Sequence, residues 1–274
     1  MKKDLPSIKL GLIELRVRDL TQAASFYRAL IGLQEIGRTK RVLVLGWNGT
    51  PLLRFHEDPT ALPAAPSEAG LYHLALVFSS QAHLATVLAR LLKSAPQLFQ
   101  GSSDHLVTEA FYFVDPEGNG VELYYDRPRE LWPTSNGSLV MGSESLDSEQ
   151  FIRRHFNPEA VGEVAVGHIH LKVGNIAGAS EFYGDALGFT TMLSMPTARF
   201  FAYEGYHHHI GINTWESAGA LVRNNKSLGL ISVTILMRRD VYAEVCKRMK
   251  SDESKGEQIL TDPWGTVVIL VNLG

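Results

Sequence analysis

The sequence predicts an α+β fold made of four βαβββ modules, and three observations predict it. First, the chain repeats itself. Leu10-Gly11-Leu12-Ile13-Glu14-Leu15-Arg16-Val17 resembles Val166-Gly167-His168-Ile169-His170-Leu171-Lys172-Val173, and Ser25-Phe26-Tyr27-Arg28-Ala29-Leu30-Ile31-Gly32 resembles Glu181-Phe182-Tyr183-Gly184-Asp185-Ala186-Leu187-Gly188. One offset of 156 residues relates Leu12 to His168, Phe26 to Phe182 and Gly32 to Gly188, a constancy through strand, loop and helix that marks a duplication. Second, each copy holds a weaker internal repeat, opening at Gly70-Leu71-Tyr72-His73 and at Gly229-Leu230-Ile231-Ser232. Third, each unit passes from strand-like alternation to helical spacing and back to short β-rich runs.

Taken in order, the modules fall at about 8–57, 68–126, 164–215 and 228–273. In the second, a helix is predicted over 81–93, where Leu84, Leu88, Leu91 and Leu92 lie on one side. Asp115-Pro116-Glu117-Gly118-Asn119-Gly120 is a turn and 121–125 the strand after it. The fourth repeats the plan: helix over 240–250, turn at Asp262-Pro263-Trp264-Gly265, closing strand over Val267–Asn272. Pro128, Pro133, Ser135, Asn136 and Gly137 break regular structure in the connection between the halves, and a short helix is expected over 145–156, with Leu146, Phe151 and Ile152 on one face. The expected division is 1–130, an N-terminal pair of modules; 131–163, a connecting segment; and 164–274, a C-terminal pair.

Bulk properties narrow the function. Apolar content of 45% with 20% charged residues is that of a soluble globular protein. A net charge of −3 provides no basic field for nucleic acid. No apolar run approaches the ~18 residues of a membrane span, and the basic N-terminus lacks the apolar stretch of a signal peptide. The single cysteine, Cys246, excludes an internal disulfide framework and reads as structural. A cytoplasmic location is expected.

The chemistry gathers on the strand 167–173. Alternation puts His168, His170 and Lys172 on one face and Ile169, Leu171 and Val173 on the other. Across the four opening strands the histidine position reads Leu12, His73, His168 and Ser232; across the closing strands one position reads Leu53, Glu122, Gly211 and Ile269. Pairing modules two and three is the one arrangement that collects His73, His168 and Glu122 in a single site. Two histidines and a carboxylate on one face are the ligand set of non-haem Fe(II) oxygenases, although imidazole and carboxylate also suit Mn(II), Co(II) and Zn(II). His56, His83 and His155 read as exposed or helix-surface side chains.

The segments Gly70-Leu71-Tyr72-His73, Asp104-His105, Phe111 through Glu122, Gly167-His168-Ile169-His170 and Gly205-Tyr206-His207-His208-His209-Ile210-Gly211 resemble the vicinal oxygen chelate superfamily, which includes glyoxalases, bleomycin resistance proteins and extradiol dioxygenases. Within it they resemble the catechol 2,3-dioxygenase-like ring-cleaving proteins. The resemblance implies two half-barrel domains of paired modules. It implies an Fe(II)-dependent oxidoreductase of aromatic compound catabolism, with a small aromatic diol and O2 as partners, in a chain compatible with a homo-oligomer. It implies His208 as acid–base residue with His207 or His209 in support, Tyr112 as a hydrogen-bond partner of a substrate oxygen, and His170 as pocket lining. Regular alternation would place His207 and His209 on one face and His208 on the other, and leaves open which imidazole faces the metal. His105 is expected on a loop over the site, and Trp215, Phe111 and Phe113 as apolar walls. In the better known two-domain extradiol enzymes the C-terminal pair of modules holds the metal, whereas here the fourth module offers Ser232 and Ile269. A glyoxalase-type isomerase would need a fourth protein ligand where this chain has Gly211, and a non-catalytic binding protein would not need His73, His168 and Glu122 together.

Overall fold

The computed structural model describes residues 6–274; the basic start, 1–5, lies outside the described residues. Module one comprises β1 (Ile8–Val17), α1 (Leu20–Ala23), which widens into a π-helical stretch over Ala24–Ile31, then β2 (Gln34–Arg38), β3 (Val42–Trp47) and β4 (Thr50–Glu57). Module two comprises β5 (Gly70–Phe78), α2 (Gln81–Ser94), β6 (Phe99–Asp104), β7 (Thr108–Val114) and β8 (Gly120–Asp126). The connection carries the short pieces β9 (Thr134–Ser135), β10 (Ser138–Leu139) and β11 (Glu144–Ser145), then α3 (Ser148–His155), capped by the Asp147 carboxylate and seated through Phe151 on Phe111. Module three comprises β12 (Val164–Lys172), α4 (Ile176–Ala179) with its own π-helical continuation over Ser180–Ala186, β13 (Thr190–Ser194), β14 (Ala198–Ala202) and β15 (Ile210–Asn213). Module four comprises β16 (Gly229–Met237), α5 (Arg239–Met249), β17 (Glu257–Thr261) and β18 (Val267–Asn272). It has one strand fewer after its helix, because a single tight turn at Glu253–Lys255 leads directly into β17.

Among the described residues these strands form two large sheets, and each sheet crosses the halves of the chain. One has the order β17-β18-β16-β1-β4-β3-β2 and joins modules one and four; the other has the order β11-β6-β7-β8-β5-β12-β15-β14-β13 and joins modules two and three. Each module pairs its opening strand with its last strand in parallel, and two modules meet through antiparallel opening strands. The aliphatic faces of all four opening strands enter one core: Ile13, Leu15 and Val17; Leu74, Leu76 and Phe78; Ile169, Leu171 and Val173; Val233, Ile235 and Met237. The polar faces of β5 and β12 are thereby turned away from the core. Cys246 is buried in that core on α5.

A second set of contacts runs within the halves. The Tyr27 hydroxyl donates to Asp115 Oδ2 at 2.9 Å, and its repeat counterpart Tyr183 donates to Asp262 Oδ2 at 2.9 Å. Each aspartate also accepts from the backbone of its own turn, Asp115 from Glu117 and Asn119, Asp262 from Trp264 and Thr266. The Asp-Pro turns are thus latched to the helix of the preceding module by a buried phenol.

The register corrects one sequence alignment. In modules two, three and four the compared closing-strand residue pairs with the residue two places after the histidine position: Ala75 with Glu122, His170 with Gly211, Thr234 with Ile269. In module one that partner of Glu14 is Arg54, whereas Leu53 is buried in the core. A bulge between Leu45 and Gly46 in the β3–β4 hairpin accompanies this one-residue offset. The module-one face therefore carries Arg54 and His56 on the Glu14 carboxylate, at 3.1 and 2.5 Å.

Candidate metal centre

The site is built on three neighbouring strands. β12 carries His168 and His170, β5 carries His73, and β8 carries Glu122. His73 and His170 face each other across the β5–β12 ladder, and Tyr112 on β7 lies opposite Glu122. His73, Glu122 and His168 are all buried, and one donor atom from each lies within 4.8 Å of the others. His168 Nε2 is 3.1 Å from Glu122 Oε2. His73 Nε2 is 3.0 Å from the same oxygen but is not aligned for a hydrogen bond, and this buried nitrogen has no hydrogen-bond partner. An orphaned buried nitrogen beside a shared carboxylate oxygen suits a cation better than a closed hydrogen-bond network.

The electrostatics favour the donor forms. Burial alone would raise the Glu122 carboxyl, but the adjoining His168 and His73 outweigh it and hold it well below the usual carboxylate range. Burial pushes His168 down to about 4, with Glu122 opposing. An ionised carboxylate and a neutral imidazole are the states that ligate a metal.

Beside the cluster lies a cavity of about 620 Å³. Leu71, Tyr72, Leu193, Phe200 and Trp215 give it apolar walls, and His73, Glu122, His105, Tyr112, His170 and His208 give it polar ones. Tyr112 Oη lies 2.7 Å from His105 Nε2, while His105 Nδ1 is 2.7 Å from the Gly142 carbonyl, so the phenol donates and the imidazole is fixed by the backbone. Burial, then the Glu122 charge, raises the Tyr112 phenol well above its ordinary range. The ring of His170 stands against Gly211, where a Cβ would come within 3.0 Å of it, and its Nε2 accepts from Asn213 at 3.0 Å. At the end of the same face Lys172 Nζ donates to the Pro66 carbonyl at 2.8 Å.

Residues 9–123 match the Glyoxalase/Bleomycin resistance protein/Dioxygenase superfamily. The catechol-2,3-dioxygenase of Bacillus subtilis (strain 168) is 35% identical over 237 residues, covering 83% of this chain and 82% of that protein. The chain belongs to the glyoxalase/bleomycin resistance protein/dioxygenase superfamily. Its fold is shared with the CppA protein of Streptococcus pneumoniae TIGR4, at a TM-score of 0.59, 13% identity and 99% coverage of both chains. It is shared also with glyoxalase I of Zea mays, at a TM-score of 0.55, 15% identity, 97% of this chain and 92% of that one.

Several sequence expectations for this superfamily chain change in detail. The three consecutive histidines precede β15 rather than belonging to it, so strand alternation does not govern them; the chain turns at Glu204 and Gly205, both with positive φ. His208 alone of the three lines the cavity, with its ring centroid 4.1 Å from that of His168. His209 is turned behind the wall, where its ring packs on Tyr206 and its Nδ1 accepts from the Tyr203 amide. His207 is bonded to Asp126. Phe111 belongs to the core and does not line the cavity, whereas Trp215 does, together with Phe113, which is also part of the core. His83 is not a surface residue: it is buried under Trp47 and Phe78, and burial lowers its basicity. His56 is engaged by Glu14, and His155 packs on Phe151. Asp126, Tyr124 and Asn213 went unassigned, although alternation already set Tyr124 and Asp126 on the Glu122 face of β8.

Proposed function

We propose that this chain is an extradiol ring-cleaving dioxygenase. In this reading His73, His168 and Glu122 hold Fe(II), and a catechol-type diol occupies the adjoining cavity. The convergence of these three buried donors from modules two and three on one cavity wall supports it, and the similarity to a catechol-2,3-dioxygenase supports the reaction class. Fe(II) bound there supplies Lewis acidity toward a diol and an open position for O2. The overall reaction breaks the ring C–C bond beside the diol and retains both oxygen atoms in a hydroxymuconic semialdehyde. In this reading His208 takes and later returns a phenolic proton, Tyr112, whose own proton goes to His105, accepts from a substrate hydroxyl, and the aromatic and aliphatic walls exclude water. Among the described residues the cluster has three members, and Gly211 supplies no fourth side chain, which argues for this reading over a glyoxalase-type isomerase.

The test is anaerobic iron loading followed by oxygen uptake with catechol. One iron per chain and a yellow ring-cleaved product are expected. His73→Ala, His168→Ala and Glu122→Ala should each lose the metal or turnover. Full iron occupancy and activity in any of them removes that residue from the ligand set, and activity with manganese alone would change the metal.

A further inference from the structure

We propose that Asp126 and His207 are positioning residues that set the tautomer of His208, so that its Nε2 faces the cavity without a proton. The inference rests on the acid–base role given to His208 above, and its chain of hydrogen bonds includes none of His73, His168 and Glu122, although the His208 ring packs on His168. Asp126 Oδ2 accepts from the Tyr206 hydroxyl at 2.9 Å, and Tyr206 stands 2.9 Å from the Tyr124 hydroxyl. Tyr206 has spent its proton on the carboxylate, so Tyr124 is the donor in that pair. Asp126 Oδ1 lies 2.8 Å from His207 Nε2. An ionised carboxylate only accepts, so His207 Nε2 carries the proton and, in the neutral ring, His207 Nδ1 is bare. His207 Nδ1 is in turn 2.8 Å from His208 Nδ1, which must therefore donate. A neutral His208 is then left with an unprotonated Nε2, the form that takes a proton from a phenol.

The arrangement is built into the fold. The His207 side chain is fully buried, whereas Asp126 is 29% exposed, so the chain of bonds runs from the cavity wall to a carboxylate near solvent. Gly167 makes room for it: a Cβ there would sit 1.8 Å from the Tyr124 hydroxyl.

The test combines imidazole nitrogen NMR on metal-free, histidine-labelled protein with steady-state kinetics on the iron-loaded enzyme. Wild-type His208 should be the Nδ1–H tautomer. Asp126→Asn presents a donor to His207 and should reverse both tautomers. It should lower kcat roughly 10²- to 10⁴-fold, with KM for catechol and iron content unchanged. Asp126→Glu keeps the carboxylate and should retain the wild-type tautomer and most of kcat. An Nε2–H His208 in the wild type overturns the inference, as does an Asp126→Asn variant with unaltered tautomer and kcat. If wild type consumes no oxygen with catechol, the dioxygenase reading fails, while the nitrogen spectra still decide this one.

Discussion

At the scale of single residues, position within the repeat proved more informative than residue type. His73, His168 and Glu122 were legible because the repeat aligns them, and the structure brings their donor atoms within 4.8 Å. His83 shows the reverse: nothing in its helix said that Trp47 and Phe78 would cover it, because that contact joins separate strands to α2. The triple histidine was legible as chemistry but not as geometry, since its orientation depends on a loop with two positive-φ residues, Glu204 and Gly205. His208→Phe should keep the metal and lower kcat roughly 10²- to 10⁴-fold, checked by iron analysis beside oxygen uptake. Gly167→Ala should displace the Tyr124 hydroxyl and destabilise the fold by about 1–3 kcal/mol, read from denaturant midpoints.

At the scale of elements, the helices and opening strands were readable because their aliphatic periodicity matches what they bury. The connecting helix expected over 145–156 forms at Ser148–His155, starting three residues later because Glu144 and Ser145 pair with β6 and Asp147 caps the first turn. What local sequence could not express was strand register: a bulge in the β3–β4 hairpin puts Arg54, rather than Leu53, on the open face. That substitution of a cation for a carboxylate leaves the module-one face unsuited to a metal. The tyrosine latches belong to this scale as well. Tyr27→Phe and Tyr183→Phe each remove one donor from a buried aspartate and should each cost about 1–3 kcal/mol. The sites lie on different module pairs, so the double variant should be close to additive, a result that chemical denaturation of all three variants checks.

At the scale of the molecule, the sequence showed four units, but which units share a sheet followed only from where the ligands fell. The sheets join one with four and two with three, while the tyrosine latches join one with two and three with four. The buried histidines then set a pH dependence. His168 is pushed down to about 4, and His170 and His208 well below 6.5, in each case by burial first. A neutral native imidazole whose unfolded counterpart takes up a proton loses stability as pH falls. The metal-free protein should therefore be level above pH ~6.5 and weaken between ~6.5 and ~4, by up to about 1.4 kcal/mol per pH unit for each such histidine. Thermal melts of chelator-treated protein across that interval check the sign; a melting point that rises on acidification contradicts it.

The pairing of β5 with β12 and of β1 with β16 has a consequence for synthesis on the ribosome. When the first half has emerged, β1 and β5 each still lack the neighbour that completes their ladder. The nascent chain then carries two open edges and, of the three proposed ligands, His73 and Glu122 without His168. In the proposed reading the metal is therefore captured late, and the exposed edges are the places where a stalled chain would be drawn into aggregates or need a chaperone.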